Sequence, residues 1–349
     1  MNDAPGSSPR GRDRRRTSVA RAALLITALT VQAAANDRVH VQYPEKSGEV
    51  ILVGEIADFV GDRLTIRLRT SGPETVSASQ ILHIDTYYNP AHRAGLALLD
   101  KGDVPAARAA LVTALKDEHR KWVDREILAA LIRCDLRTEN LLAAGETFAS
   151  LLDADPESRH WSTAPLVWTP VPVGVPLQSR ARQWMNDPRP GMQLVAASIL
   201  LLDPVYGDIA RRSMEELART PQPPVAALAR AQLWRTRLGG QAIPEKELQS
   251  WRTEIEYLPA WLRAGPQYLL GRGYLSRNLP RDAVTEWLWL GTSYKDLETL
   301  SVRALTEAVE ALREVASESE AEAVAAMLRR EFPWAAGSVP QGNGGSQAP

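Results

Sequence analysis

The sequence predicts a mainly α-helical protein: an α-solenoid of helical hairpins preceded by a small β-barrel-like domain. Three observations predict it. Between Asn89 and His119 (NPAHRAGLALLDKGDVPAARAALVTALKDEH), small residues fall where two helices must approach, and after a Gly102-Asp103 turn Ala107, Leu111, Ala114 and Leu115 make a second apolar stripe. Between Val39 and Thr86 the period drops to two: Leu64, Ile66 and Leu68 alternate with Arg63, Thr65, Arg67 and Arg69, as in a half-buried strand. Finally, proline-led apolar segments at Pro188–Leu201 and Pro221–Trp234 repeat at an offset of 33 residues.

Composition is compatible with this class. A chain of 349 residues accommodates two or three domains or one elongated array. Its 44% hydrophobic content is that of a folded protein, and a whole-chain charge of −1 argues against general nucleic-acid binding. That charge is unevenly spread. Residues 1–35 carry six Arg and two Asp, a local +4, which leaves −5 for the remainder. The single cysteine, Cys134, excludes an intramolecular disulfide and sits in an apolar helical pattern, where a buried small residue is favoured over a reactive thiol.

In chain order, residues 1–35 read as a secretory signal peptide: an Arg-rich start, the apolar run Ala22 to Ala35, and small residues Ala33 and Ala35 suited to a cleavage site. As a helix those fourteen residues would span roughly 21 Å, short of the ~30 Å hydrocarbon core, so cleavage before Asn36 is favoured over a retained anchor. The protein is therefore expected in the periplasm or outside the cell. Residues 36–87 form the small β-domain, with a strand from Glu49 to Val60, the alternating strand after Gly61-Asp62, and two short strands near Glu74–Ala78 and Gln80–Asp85. Arg63, Arg67 and Arg69 share a solvent face that reads as a charged, aggregation-resistant surface more readily than as a polyanion site.

Helical hairpins are expected over 88–160, where Asn89 and Asp103 can cap helices whose first turns hold Pro90 and Pro105. Residues 161–176 (WSTAPLVWTPVPVGVP) carry four prolines and read as a linker or strap, laid across neighbouring helices by Trp161 and Trp168. Paired helices resume over 177–243, one of them near Gly207 to Arg219. The segment 244–335 adds helices at Glu245 to Tyr257, 264–290, Leu297 to Val315 and Glu318 to Glu331. The Gly/Ser/Pro/Gln tail, 336–349, lacks apolar anchors and is expected to be disordered.

Several stretches resemble known families. Residues 88–119 resemble a tetratricopeptide repeat: Gly95 matches the small residue of its first helix, Gly102-Asp103 its inter-helix turn, and Ala107, Leu111 and Ala114 its second-helix core. A second unit fits 125–156 through Leu131, Ala144, Phe148, Leu151 and Asp155-Pro156, with Ile132 replacing the small residue. A third fits 264–290 through Leu270, Gly271, Tyr274, Ala283 and Trp287. The proline-led repeats are similar to HEAT repeats, and the β-domain resembles SH3-like or Sm-like barrels.

The tetratricopeptide resemblance implies partner contacts from the first helix of each unit: His92, Leu96, Leu99 and Asp100; Ala129, Arg133, Leu136 and Arg137; Tyr268, Arg272, Leu275 and Ser276. Its arginines would suit an extended peptide with acidic side chains. Trp289 points roughly 200° away from Trp287; packing on the next hairpin is favoured for it over an exposed binding anchor, and the anchor reading adds it to the partner-contact candidates. The scattered histidines (His40, His83, His92, His119, His160) show no ligand pair at one-turn spacing, and no nucleotide or nucleophile motif is present. No cofactor or metal is expected. The resulting expectation is a non-catalytic, exported scaffold for protein–protein interaction in the cell envelope, of unspecified oligomeric state. The competing readings are an accessory or degenerate enzyme with a non-local site, and polyanion binding by the β-domain.

Overall fold

In the computed structural model, residues 37–45, 48–295 and 297–338 are described. The signal-peptide reading lies outside them, as does most of the tail, although Ala336 to Ser338 continue a 3-10 turn that starts at Pro333.

Alternating residues give five strands: β1 (Asp37–Gln42), β2 (Glu49–Val60), β3 (Arg63–Leu68), β4 (Gly72–Ser77) and β5 (Ile81–Asp85). They form an antiparallel sheet in the order β4-β3-β2-β1-β5, open at β4 and β5. The barrel expectation is thus corrected. The sheet does not close on itself because its apolar face is covered by helices: Val39, Val41, Ile56, Leu64 and Ile66 share one core with Leu99, Leu111, Trp122 and Ile127.

Thirteen α-helices follow among the described residues. They are α1 (Pro90–Asp100), α2 (Val104–Asp117), α3 (Lys121–Arg137), α4 (Leu141–Ala154), α5 (Val175–Trp184), α6 (Pro190–Leu200), α7 (Gly207–Leu217), α8 (Pro223–Trp234), α9 (Glu245–Tyr257), α10 (Ala264–Ser276), α11 (Pro280–Ser293), α12 (Glu298–Glu314) and α13 (Glu318–Glu331). Asn89, Asp103 and Asn140 cap α1, α2 and α4 through their side-chain oxygens, satisfying amides that the first helical turn leaves unpaired.

Four hairpins close in the same way. The turns α1–α2, α3–α4, α10–α11 and α12–α13 each pass through one left-handed residue: Gly102 (φ 84°), Glu139 (56°), Asn278 (59°) and Ala316 (56°). In each, the next amide donates to the carbonyl five residues back: Asp103 to Leu98, Asn140 to Asp135, Leu279 to Tyr274 and Ser317 to Leu312, at 2.9–3.1 Å. This is the double-bonded helix terminus that left-handed residues permit. Only one of the four positions is glycine, so the recurrence is invisible to a scan for Gly.

Close helix approach is equally recurrent. A Cβ on Gly95 would lie 2.6 Å from Leu111 Cγ, and one on Gly291 would lie 2.6 Å from Leu305 Cγ. A Cβ on Gly271 would run into the indole of Trp287, whose N–H donates to Tyr268 O at 3.2 Å. Where Ile132 replaces glycine, the helix pair still packs, with Ile132 fully buried in one core with Ala144 and Phe148.

The sheet is bolted to the helices by charge. Arg125, 3% exposed on α3, donates to Asp58 and to Phe59 O (2.9 Å), while Asp155 accepts from the Gly61 amide at 2.9 Å. Among the described residues, sheet and helices belong to one compact unit.

Candidate functional site

The proline-rich segment after α4 is a strap. Trp161, Ala164, Leu166 and Val167 are buried, and Trp168 sits directly on Gly265, where any side chain would collide with its indole. A buried polar chain fastens it. The Val167 amide donates to Ser198 Oγ (2.8 Å), Ser198 Oγ donates to Gln232 Oε1 (3.0 Å), and Arg235 donates to Gln232 Oε1 and Ser198 O (2.7 Å each). Burial without a facing carboxylate pulls the Arg235 guanidinium down to about 10.

Between this strap, the C-terminal half of α3 and the N-terminal half of α12 lies a cavity of about 460 Å³. Its walls are largely apolar, including Leu136, Trp168, Trp261, Leu262 and Leu300, and Trp334 closes one side. The polar part is concentrated on three arginines. Arg133 donates to Glu298 Oε1 at 2.7 Å, and Arg137 donates to Glu298 Oε2 and to Leu99 O. Arg303 donates to Glu307 Oε1 at 2.8 Å. Trp334 lies 4.5 Å from the Arg137 guanidinium and packs on Gly102, so the chain's last described turn returns to its first hairpin. Two lining residues each carry a donor without a partner, Arg133 Nε and Trp161 Nε1, but both atoms are buried in the surrounding packing and closed off from the cavity.

Of the residues expected to meet a partner, Arg133, Leu136 and Arg137 come together here. Their groove is shared with the strap rather than open along its length. His92, Leu99 and Tyr268 are core side chains, 2%, 0% and 1% exposed. Tyr268 and Arg272 both donate to Glu307 (2.6 and 3.1 Å), so α12 covers that face of α10. Leu96 and Leu275 are half-buried and Asp100 is exposed, away from the cavity lining. Trp289 stands in solvent at 59% exposure beside Tyr294, in contrast to the fully buried Trp287 two residues earlier.

Sequence reasoning missed Glu298, Arg303 and Trp334: the partners of Glu298 and Trp334 lie more than 160 residues away, and the i,i+4 pair of Arg303 with Glu307 reads locally as an ordinary helix ion pair. Elsewhere, Cys134 is fully buried, and burial pushes its thiol up to about 11. His40 and His83 face each other across β1 and β5 and both bond Asp85. Among the described residues, no group of His, Cys, Asp and Glu is arranged to hold a metal ion, and no helix is long and apolar enough to cross a membrane. Of the β-domain arginines, Arg67 is paired with Glu55 at 3.3 Å, and Arg69 lies past the end of β3.

Comparison with known proteins finds no matching family model, no similar curated protein and no similar solved structure.

Proposed function

We propose that this protein is an exported, non-catalytic helical-repeat scaffold of the cell envelope that binds another protein. In this reading residues 1–35 are a cleaved signal peptide, and the sheet of 36–87 leads into tetratricopeptide-like hairpins at 88–160. HEAT-like pairs at 177–243 and further tetratricopeptide-like hairpins at 244–335 complete an α-solenoid. The four identically closed hairpin turns support the repeat reading. The Arg-rich, apolar, small-residue pattern of 1–35 supports export.

The observation that carries partner binding is Trp289. A large indole left 59% exposed on a helix whose other tryptophan is fully buried is the kind of side chain that anchors interfaces. Exposed aromatic rings at Tyr257 and Trp261 widen the choice of contact on the C-terminal half. Affinity capture from an envelope fraction with residues 36–349 as bait tests this. The expected result is a stoichiometric partner, lost with Trp289→Ala while the circular dichroism of the bait is unchanged. Repeated recovery of no stoichiometric partner, or a partner retained in full by Trp289→Ala, refutes it.

A further inference from the structure

The outer face of the sheet carries a short chain of acids and imidazoles that crosses three strands. His40 on β1 meets Glu49 of β2 through Nδ1 and Asp85 of β5 through Nε2 (3.2 Å). His83 of β5 meets the other oxygen of Asp85 through its own Nε2 at 2.7 Å, and the two rings lie 5.7 Å apart. Helices cover the opposite face of the sheet. Among the described residues, the charged and titratable groups facing His40 are therefore those of the strands: Arg38 beside it on β1, Glu49 on β2, and His83 and Asp85 on β5.

The state of His40 follows from its two neighbours. A neutral imidazole has one N–H and one lone pair, so it donates to one carboxylate and turns a lone pair toward the other. Donating to both at once requires the imidazolium. His83 bonds a single carboxylate oxygen, which a neutral ring does equally well. The bond to Glu49, joined by that to Asp85 and set against some desolvation, holds the His40 ring above the usual imidazole range. The bonds from His83 and His40 in turn hold the Asp85 carboxyl below its usual range.

What this charge ties down is the edge of the sheet. Among the described strands β5 pairs with β1 alone, and its register slips between the His40 and Val41 pairs, leaving Leu82 out of the ladder and 59% exposed. The ladder is thus interrupted beside His40, and the bond to Asp85 spans the same two strands there. On either side the chain is fastened independently of His40, by the Ser77 and Gln80 capping bonds before β5 and by Thr86 donating to Asp37 after it. Loosening is therefore confined to β5 itself.

We propose that the bridge from Glu49 through His40 to Asp85 is a proton-operated clasp: with His40 charged it ties β5 to the sheet, and with His40 neutral β5 opens locally and bares the edge of β1. A bared strand edge is a template for pairing with another chain, so the clasp makes that edge available as pH rises. The contribution of His40 is fully present below about pH 6.5, the unfolded imidazole value, and is lost as pH rises through its higher folded value. The clasp uses no residue of the Trp289 surface, so this inference and the scaffold reading stand or fall by different measurements.

Two measurements on the full chain test it, with substitutions that lie on the solvent face and leave the core untouched. In the first, nuclear magnetic resonance of nitrogen-15-labelled histidine follows the His40 ring nitrogens from about pH 5 to about pH 9. Both nitrogens are expected to stay protonated to higher pH in the parent than in Glu49→Gln, whose amide lets a neutral ring bond both neighbours. In the second, hydrogen exchange of the β5 amides is corrected for the intrinsic effect of pH. It is expected to speed up roughly two- to fivefold across the same range, the scale of an exposed ion pair, while β3 stays level. The rise should vanish in His40→Gln and shrink in Glu49→Gln. A His40 ring that gives up its second proton at the same pH in parent and Glu49→Gln overturns the proposal. Corrected exchange in β5 that is level with pH, or that rises as much in His40→Gln as in the parent, also overturns it.

Discussion

Replacing Glu298 with Ala removes the ion pairs that join α12 to α3, and its cost follows from who is left behind. Arg137 is 2% exposed at its side chain and cannot turn to water, whereas Arg133 is 24% exposed and can. Breaking a buried pair by removing one partner costs about 3–5 kcal/mol, against under about 1 kcal/mol for a solvent-accessible one. Arg137 keeps the Leu99 carbonyl and the face of Trp334, which places the loss at the low end, about 3 kcal/mol, or roughly a 150-fold change in the folded-to-unfolded ratio. Urea unfolding, read by both far-ultraviolet circular dichroism and tryptophan fluorescence, measures it. The double variant Arg137→Met/Glu298→Leu, which removes both charges, should recover most of the loss, because the penalty belongs to the stranded guanidinium and not to the missing attraction. A loss under about 1 kcal/mol for Glu298→Ala, or a double variant less stable than the single one, would refute the reasoning.

Further outcomes follow from the same physics. Gly95→Ala and Gly271→Ala should each lose about 1–3 kcal/mol or more, because the new methyl meets Leu111 or the immobile Trp287, while Gly239→Ala, with nothing within 4 Å, should stay within about 0.5 kcal/mol of the parent in the same urea assay. Ala316→Gly and Glu139→Gly should raise stability by up to about 1 kcal/mol each, since both hold left-handed conformations that a Cβ disfavours; a lower melting temperature would count against this. His160 has its Nε2 shut off from water without a partner, and burial, with Arg159 and Arg125 nearby, pushes the ring down to about 3. The unfolded chain therefore binds the extra proton first, so this contribution is complete above about pH 6.5 and is lost as pH falls toward 3. His160→Gln should flatten the stability-versus-pH curve in that window, and an unchanged slope would show that another group carries it.

Local patterning made the helices and strands legible. The boundaries of β2, α9 and α13 coincide with those read from periodicity and breakers; α9 and α13 keep an uninterrupted burial period, while β2 carries an irregularity between Ile56 and Asp58 that does not move its ends. The extended segment was legible in part: Pro165, Pro170 and Pro172 oppose a helix there, whereas Pro176, read as part of the segment, sits in the first turn of α5. Sheet closure was not: alternation gives a buried face but is silent about what buries it, and here α1 to α3 do so. The cavity was half legible. Arg133 and Arg137, four apart on one face of α3, could be singled out, whereas Glu298 lies 165 and 161 residues beyond them and enters only through the return of α12. His92 and Tyr268 fell on surface-facing repeat positions, yet neighbouring side chains bury them, which a single-repeat pattern does not register.

The return of Trp334 to Gly102 has a consequence for how the molecule comes apart. In a linear stack each hairpin touches only its neighbours, so unfolding can begin at either end and run inward one unit at a time. Here the final turn rests on the first hairpin and α12 is ion-paired to α3, so neither the first nor the last helical hairpin is free to fray alone. The first and last hairpins must let go together, which couples the stack into one cooperative transition and makes those joining contacts, the longest in sequence separation, the slowest to form on folding.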